Sequence, residues 1–460
     1  MKYILLVIII IAVTGCSKNF LNIEPEATPS TENFYQTEDD FKAALAGAYS
    51  GFYKFPDLLF EMSSYRSDEL ALAAPTAGTQ DRYDINKLQD NPANGITLNA
   101  WQTLYTNINR ANEIIARLAP APIDAGLKRR FEGEARFIRA YNYYMLVNLF
   151  GKVPLVLTPL SSDQALQTGQ SEVSAIYEAV ETDLIYALNT DNLPAAFTGA
   201  DLGRANAAAA RALLGKALLT QKKYQQVREI LEPLVLDGGS YGLMPTTKDV
   251  FDKANRMNKE VLFAIGYTQN GHGLWLTTTS ATASLVPQSI MNSYPPGDNR
   301  KALLETVRVG TTGSRYVPLK FLGEPAPLSA NNVDNDFILL RFAEVLLMYA
   351  EAMNAVSYAG NGPAIESLNK IHTRAGLSAY NATDLPDQAR FMHAVYLERK
   401  LELAYEGHRW IDLVRTGQAN TVLTAAENIA VPNYRLIYPV PRQEIEKINN
   451  PALLKQNDGY

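Results

Sequence analysis

The sequence is nearly devoid of cysteine. Cys16 is the only one among 460 residues, which excludes an internal disulfide, a thiolate metal cluster and an internal redox pair. Histidine is also scarce, with four copies: His272, His372, His393 and His408. These are scattered along the chain, and none has the spacing of a helical metal-binding motif. For His408, in EGHRW at a helix junction, we expect a hydrogen-bonded structural role.

A cluster of positive charge is missing as well. The chain has 42 Lys and Arg against 48 Asp and Glu, a net charge of -6, and no basic run that would follow a phosphate backbone. Nucleic acid is therefore not an expected partner. The sequence also lacks the G-x-S-x-G turn of serine hydrolases and the glycine-rich loops that bind phosphate. A pair of carboxylates for glycoside hydrolysis is not excluded, because their separation is spatial.

No apolar run is long enough to span a bilayer. The segment from Tyr3 to Val13 is apolar and follows Lys2, but a spanning helix needs about 20 residues. The ending Val13-Thr14-Gly15-Cys16 resembles the cleavage site of a bacterial lipoprotein signal. It predicts a signal peptide over residues 1–15, a lipid on Cys16 and an extended tether over residues 16–36. An ordinary secretory signal with a chance cysteine is the alternative.

Aromatic residues are plentiful, with 25 Tyr and 16 Phe. Tyrosine suits half-wet surfaces, where its ring packs and its hydroxyl finds a partner. Apolar residues at helical spacing predict helices starting near Thr37 and Asn99 and over Ser171–Leu188. Between the first two helices, residues 57–98 are predicted to form a long irregular loop, a kind of segment that usually has a function.

The stretch EARFIRAYNYYMLVNLFGKVP changes from a charged first half to an uncharged second half. Helical spacing predicts a helix from about Asp124 to Phe150 with two apolar faces, so protein encloses its C-terminal half on most sides. The cluster Tyr141, Tyr143 and Tyr144 is either an exposed stacking platform for a ligand or packed scaffold. The uncharged surroundings favour packed scaffold, with the functional surface in the loops that this helix holds apart.

Two segments match the 34-residue helix-turn-helix repeat. In residues 204–237, Leu214 and Gly215 take the Leu-Gly positions, and the small residue allows two helices to approach closely. A looser copy occupies residues 341–376, with a short insertion between its helices. The sequence therefore predicts a mainly α fold, a tetratricopeptide-like helix-pair scaffold with loop-rich elaborations and a few short strands. Packed helices without repeat geometry are the alternative.

Between the two copies the pattern changes. Glu260–Thr268 is a predicted strand, and the following 65 residues or so are rich in glycine and proline, which predicts a segment built mostly of loops. Near the C-terminus, Tyr438-Pro439-Val440-Pro441 is incompatible with a helix interior. We expect it to be an extended segment on the surface.

Several of these segments, in their order and spacing, resemble the SusD/RagB family of outer-membrane nutrient-binding lipoproteins of Bacteroidota. The resemblance covers the chain from end to end. The segments are the lipoprotein signal followed by SKNFLNIEP, WQTLYTNINRANEII, EARFIRAYNYYMLVNLFGKVPL, RFAEVLLMYAEAMN with LNKIHTRAGL, ERKLELAYEGHRWIDLVRTG and YPVPRQEIEKINNPALLKQNDGY.

The resemblance implies a single SusD-like domain over residues 37–460, built on four tetratricopeptide-like helix pairs. Its ligand site would lie in loop-rich segments at about 57–98 and 260–335. The family captures a nutrient without catalysis, here an oligosaccharide or else a peptide. It passes the nutrient to a SusC-like TonB-dependent transporter barrel, over which the lipoprotein sits as a lid. The expected location is the outer membrane, lipid-anchored and facing the cell surface, although Ser17-Lys18-Asn19 lacks an acidic export cluster.

Sugar-binding sites combine exposed aromatic rings with polar side chains. Trp101 and Trp410 lie in helical patterns and are expected in the core, whereas Trp275 has flexible, polar neighbours. Trp275 is either a ligand contact or a plug that anchors its own loop. The predicted ligand site consists of Trp275 and His272, supported by Arg82, Tyr83 and Asn91 and by Tyr294 or Tyr316.

The competing hypothesis is a structural lipoprotein that binds a protein partner through its helical repeats and takes no small ligand. No cofactor is predicted apart from the lipid on Cys16. The oxygen-rich segment Asn331–Phe337 lacks the ligand spacing of a calcium-binding loop. We expect it to be a solvated turn that caps the next helix.

Overall fold

A computed structural model describes residues 34–75, 78–236, 239–267, 288–304, 306–309, 315–321 and 335–460, with side chains excepted at residues 200, 288, 306–309 and 315–317. The described chain is mainly helical. Its α-helices are α1 (Glu38–Ser50), α2 (Phe55–Leu59), α3 (Gln80–Asn86), α4 (Gly95–Leu118), α5 (Ala125–Phe150), α6 (Ser162–Leu166), α7 (Val173–Ala187), α8 (Ala207–Thr220), α9 (Tyr224–Leu236), α10 (Thr247–Val250), α11 (Gln288–Met291), α12 (Phe342–Val356), α13 (Pro363–Arg374), α14 (Gln388–Glu402), α15 (Arg409–Arg415), α16 (Ala419–Glu427) and α17 (Arg442–Ile448).

Helix α5 forms where the sequence predicts it. The side chain of Asp124 caps its first turn by accepting from the backbone N–H groups of Gly126 and Leu127. Gly151 ends the helix with a φ of 72°, a left-handed conformation that glycine adopts without strain. All the residues from Phe137 to Val147 are buried, so the helix runs through the middle of the protein.

The tyrosine cluster of α5 is packed scaffold, as expected. Tyr141, Tyr143 and Tyr144 are each at most 2% exposed. The Tyr143 hydroxyl donates to the carbonyl of Val156 at 2.9 Å and accepts from the N–H of Val156 at 2.6 Å. Enclosed rings with occupied hydroxyl groups do not form a stacking platform for a ligand.

Successive helices pack side by side in one continuous series. Helix α4 packs on α5, α5 on α7, α7 on α8, α8 on α9, α9 on α12, and α12 on α13 and α14. The approach of α8 to α9 depends on Gly215, because a Cβ at this position would lie 2.6 Å from Cδ2 of Leu231. The second predicted pair is formed by α12 and α13, which the residues 357–362 connect.

Four short strands complete the described part. Strands β1 (Val261–Ile265) and β4 (Phe337–Arg341) form an antiparallel pair with an irregular register, and β2 (Thr306–Val309) pairs antiparallel with β3 (Arg315–Pro318). Both β1 and β4 are buried along their whole length and pack on the helices. Asn335 and Asp336 precede β4, so the expectation of a turn that caps a helix is wrong there. Asn335 is also buried, with Nδ2 donating to the carbonyl of Phe251.

The segment 57–98 is only in part the irregular loop that the sequence predicts. Helix α2, a π-helical turn at Phe60–Ser64 and α3 occupy much of it, and α4 begins at Gly95 instead of Asn99. Asn94 starts α4 early, because its side chain accepts from two backbone N–H groups of the first turn. Glycine and proline in this segment end short helices without excluding them.

The segment Tyr438–Pro441 is extended, but its predicted surface location is wrong. Tyr438 and Val440 are both fully buried. The Tyr438 hydroxyl donates to the carbonyl of Met62 at 2.9 Å, and the guanidinium of Arg66 lies 3.9 Å from the centre of its ring. The C-terminal segment is therefore part of the core and covers the base of the π-helical turn.

A buried ionic network joins β1, β4, α13 and α14. Arg341 donates to carboxylate oxygens of Glu260, Glu402 and Glu406 at 2.7 to 2.9 Å. Burial by itself raises the pKa of Glu402, but the charges of Arg374, Arg341 and Arg300 outweigh it and hold that pKa well below its usual range. The network fixes the strands relative to the helices around them.

Candidate functional site

A continuous helical run over residues 51–64 carries the first half of the candidate site. It consists of a 3-10 turn, α2 and the π-helical turn. The charge of Glu61 acts on Asp57, and both Asp57 and Tyr53 lie near Tyr267, so the three side chains lie on the same side of this run. Tyr53 is 40% exposed, an unusual degree for a large aromatic ring in this protein.

Arg82 of α3 completes this face. Its Nε donates to both carboxylate oxygens of Glu61, at 2.8 and 2.9 Å, and its Nη2 also donates to Oε1. The same guanidinium lies 5.2 Å from the centre of the Tyr65 ring. A planar guanidinium that is held at two points has a fixed orientation, so Arg82 and Glu61 form a rigid polar surface.

Tyr267 joins the second loop-rich segment to this face. Its ring meets that of Tyr53 edge to face, with the centres 5.3 Å apart, and its hydroxyl donates to the Tyr53 carbonyl at 3.1 Å. Tyr267 is 3% exposed and so supports the exposed Tyr53 ring from below. We call the surface formed by Tyr53, Asp57, Glu61, Arg82 and Tyr267 the Tyr53 surface.

Asp57 is the group on this surface whose pKa is shifted towards neutral pH. Burial, together with the negative charge of Glu61, raises the pKa of Asp57 to about 6, and the charges of Lys54 and Arg82 offset only part of this effect. The carboxyl therefore changes its charge near neutral pH. In its protonated form it is a hydrogen-bond donor beside the tyrosine pair.

A cavity of about 540 Å³ opens on the other side of Tyr53, between α1, β1 and the loops around residues 203 and 256. Its volume is that of a typical small-molecule site. The cavity combines aromatic and apolar walls with a few charged groups. Its lining consists of Lys42, Ala46, Tyr49, Ser50, Phe52, Tyr53, Leu202, Gly203, Arg204, Arg256, Met257, Phe263, Ala264, Ile265, Gly266 and Asp336.

The positive charges that line this cavity are paired with carboxylates. Arg204 Nε lies 2.6 Å from an oxygen of Glu134, and Arg256 Nη1 lies 2.8 Å from one of Asp336. Lys42 likewise contacts the side chain of Glu38 at 2.8 Å. The cavity therefore offers hydrogen-bonding groups and aromatic rings with its charges already balanced.

Within the described residues, no group of three or more His, Cys, Asp and Glu side chains is arranged to hold a metal ion. Among the helices of the same residues, none has the length and apolar character needed to cross a bilayer.

Comparison with known proteins identifies the family. Residues 255–460 match the SusD family, and residues 19–219 match a family described as starch-binding associating with outer membrane. The chain belongs to the SusD/RagB family. A relative from Formosa agariphila, named SusD-like protein P2, is 27% identical, and the comparison covers 100% of both chains.

Solved structures of SusD-like proteins share the fold. Surface glycan-binding protein A from Bacteroides fluxus superposes with a TM-score of 0.78 at 25% identity, over 92% of this chain and 100% of the other. A laminarin-binding SusD-like protein superposes with a TM-score of 0.76 at 24% identity, over 93% of this chain and 100% of the other. These similarities confirm the predicted tetratricopeptide-like fold.

The SusD-like fold brings one of the predicted site residues, Arg82, to the Tyr53 surface. Arg82 forms part of it, and the half-buried Tyr83 is its neighbour on α3. Asn91 is exposed in the turn before α4, where its side chain accepts from the N–H of Ala93. That turn is joined to α3 through Asn94, whose Nδ2 donates to the carbonyl of Asp81.

Among the remaining predicted residues, Tyr294 is the one whose side chain is described. Tyr294 is 5% exposed and its hydroxyl donates to the carbonyl of Leu401, so its ring is part of the core and not of the Tyr53 surface. Tyr316 lies in β3, opposite Arg308 of β2. His272 and Trp275 belong to residues 268–287, which follow Tyr267 in the chain and lie outside the described residues, as does Cys16.

The two remaining tryptophans and His408 behave as the sequence predicts. Trp101 and Trp410 are 4% and 0% exposed, so both are core residues. Nδ1 of His408 forms a hydrogen bond of 2.7 Å with Nζ of the buried Lys216. None of these residues belongs to the Tyr53 surface.

Sequence reasoning missed four members of the Tyr53 surface: Tyr53, Asp57, Glu61 and Tyr267. Tyr53, Asp57 and Glu61 are spaced four residues apart, which was the available signal in the sequence. The predicted loop began at Asp57, however, and so separated Tyr53 from the other two residues. Tyr267 lies at the end of the predicted strand, and only the fold shows that it meets Tyr53.

Proposed function

We propose that this SusD-family protein binds an oligosaccharide at the Tyr53 surface and the adjoining cavity, without catalysing a reaction. The observation that carries the proposal is the exposed Tyr53 ring, held in place by Tyr267 and flanked by the rigid Arg82–Glu61 pair. A fixed aromatic face packs against the apolar face of a sugar ring, and the paired polar groups bind its hydroxyls. The names of similar proteins, which refer to glycan, laminarin and starch binding, support it.

The ligand that fits best is a neutral glycan. An anionic glycan needs cations that are free to meet its carboxylates or sulfates, whereas Arg82, Arg204 and Arg256 each already contact a carboxylate. The neighbouring sequence 268–287 adds no Lys or Arg. Hydroxyl groups, in contrast, accept and donate hydrogen bonds with paired charges at little cost.

Calorimetry on the soluble form that lacks residues 1–16 tests this proposal, since every contact described above lies within residues 34–460. The probes are hexasaccharides of glucose with different linkages, of mannose and of xylose, beside oligomers of galacturonic acid. Tyr53→Ala and Arg82→Ala should weaken binding of the best neutral probe by about tenfold or more, equivalent to about 1.4 kcal/mol. Trp275→Ala tests the residue that the sequence singles out.

The matched control is Ile185→Ala, because Ile185 is 57% exposed on α7, away from the site. It should bind as the wild type does. Tighter binding of the galacturonic acid oligomers would contradict a neutral ligand. No heat with any glycan, while a barrel protein co-purifies, would favour a lipoprotein that binds only a protein partner.

We further propose that a lipid on Cys16 anchors the protein in the outer membrane, facing the cell surface, and that a SusC-like TonB-dependent transporter receives the ligand. The sequence of the first 16 residues and the family membership support this arrangement. Cys16→Ala should move the protein from the membrane fraction to the soluble fraction. Affinity purification of the lipidated form from its own membranes should recover the transporter, and recovery of the lipoprotein alone would contradict the partnership.

A further inference from the structure

A second cavity, of about 470 Å³, lies between α4, α6 and the C-terminal helix α17. This volume is also in the range of small-molecule sites. None of its lining residues belongs to the Tyr53 surface or to the first cavity. The lining consists of an apolar floor with a polar rim, and the two parts have different roles.

The floor is an aromatic wall that is fixed in place. Tyr105 is half-buried, and its hydroxyl donates to the carbonyl of Pro154 at 2.7 Å, so its ring has a set orientation. The ring of Trp101 lies behind it, with the centres 5.1 Å apart. Ile448 and Leu454 extend this apolar surface from the C-terminal segment.

The rim contains the carboxylate of Glu444, and only one of its two oxygens accepts hydrogen bonds within the described chain. Oε1 of Glu444 accepts from Nε2 of Gln102 at 2.9 Å and from Nζ of Lys447 at 2.7 Å. Oε2 accepts no hydrogen bond from any residue in the described part of the chain. The hydroxyls of Thr106 and Thr168 donate to carbonyls of their own helical turns, so their oxygens remain available as acceptors.

Hydrogen bonds hold the walls of this cavity together. Gln170 forms a backbone bridge with Pro154, and its N–H donates to the carbonyl of Leu453 at 2.8 Å. Its side-chain Nε2 donates to the carbonyls of Lys152 and Lys455. The segment after α5 and the C-terminus therefore form a preorganised frame, which lowers the entropic cost of ligand binding.

We propose that this second cavity is a separate binding site for one neutral sugar unit of a glycan. The Tyr105 ring packs against the apolar face of the sugar, and Oε2 of Glu444 accepts from its hydroxyls. Lys447 cancels the charge of Glu444, which makes the site neutral as a whole. The single carboxylate and scattered hydroxyls suit a sugar better than an extended peptide that adds a strand to an open sheet edge, because no residue of β1 to β4 lines this cavity.

The test uses saturation-transfer NMR on the soluble form that lacks residues 1–16, with the methyl glycosides of glucose, galactose, mannose and xylose as probes. All variants carry Arg82→Ala, which weakens binding at the Tyr53 surface. Ala165→Trp adds bulk inside the second cavity from the exposed helix α6, and Gln167→Trp adds the same bulk outside it. Thermal unfolding checks that each variant is folded.

The Arg82→Ala protein should still bind at least one glycoside. Adding Ala165→Trp should abolish that signal, adding Gln167→Trp should preserve it, and adding Glu444→Ala should weaken binding by about tenfold. Loss of all binding in Arg82→Ala alone, or no effect of Ala165→Trp, would overturn the second site while leaving the Tyr53 surface intact.

Two further outcomes are decisive. Binding by the wild type that Arg82→Ala does not affect, and that Arg82→Ala together with Ala165→Trp abolishes, would support the second site and overturn the proposed role of the Tyr53 surface. Transfer of saturation to tripeptides in place of glycosides, blocked by Ala165→Trp, would assign the cavity to peptides and overturn the sugar assignment. No transfer to any glycoside in the wild type counts against both sites.

Discussion

Arg341 and Glu406 form a two-point ion pair inside the protein. Nε of the arginine lies 2.7 Å from Oε2 of the glutamate, and Nη2 lies 2.8 Å from Oε1. Both side chains are 1% exposed. Burial alone raises the pKa of Glu406, but the charges of Arg341 and Lys320 outweigh burial and hold that pKa below its usual value. The folded protein thus favours the ionised form of Glu406.

Glu406→Gln should lower the free energy of unfolding by about 3 to 5 kcal/mol at pH 7, because it leaves buried positive charge without its partner. The lowered pKa gives a stabilisation that is present above the ordinary glutamate value of 4.5 and declines as the pH falls below it. Denaturant unfolding at pH 7, 4 and 3 measures the change. The control Glu446→Gln, at a surface pair, should change little. An equal loss at all three pH values would contradict the pKa direction.

Asp57→Asn should have the opposite dependence on pH. The pKa of Asp57 is raised from 3.8 to about 6, so its contribution to stability is present below pH 3.8 and is lost as the pH rises through 6. The asparagine variant should match the wild type near pH 3.5. It should be more stable at pH 8 by about 1 to 2 kcal/mol, less than the full shift because solvent screens part of the charge. Urea unfolding at pH 3.5 and pH 8 measures the change. The control is Asp163→Asn, at an exposed position of α6, which should not show this dependence on pH.

Gly215→Ala should destabilise the protein by about 1 to 3 kcal/mol, because the added methyl group meets Leu231 at 2.6 Å. Leu231→Ala alone should cost about 2 to 5 kcal/mol through the cavity that it leaves. The double variant should cost less than the sum of the two, since each change relieves the other. In contrast, Gly47→Ala in α1 has no atom within 4 Å and should be neutral or stabilising. Strict additivity would show that the two helices do not meet at Gly215.

Tyr144→Ala should lower the free energy of unfolding by about 3 to 5 kcal/mol, as the loss of a buried phenylalanine does. Tyr144 is 1% exposed, and its hydroxyl has only a long contact of 3.4 Å with Thr220. Tyr144→Phe should therefore cost no more than about 1 kcal/mol. Thermal and chemical unfolding compare the two variants. Unchanged melting of Tyr144→Ala together with loss of glycan binding would restore the stacking platform.

The helical scaffold was predictable from local signals. Apolar spacing, the Asp124 cap and Gly151 define α5 almost to the residue. Gly215 marks the close helix pair, because a small residue at that repeat position has a direct steric reason. These features depend on residues that are near one another in the chain.

The candidate site was predictable only in part, because its contacts join distant residues. Arg82 was identified, but its partner Glu61 lies in a π-helical turn, which has no clear sequence signature. The burial of Tyr438 likewise depends on Met62 and Arg66, far away in the sequence. Local composition indicates an extended segment at Tyr438–Pro441 but contains no information about what covers it.

The bond between Tyr438 and Met62, which closes a span of 376 residues, has a consequence for biosynthesis. A nascent chain has no complete core until Tyr438 and Val440 have been translated, because these residues fill positions beside residues made long before. A chain cut short before Tyr438 lacks this closing segment, and its incomplete core would be open to proteolysis.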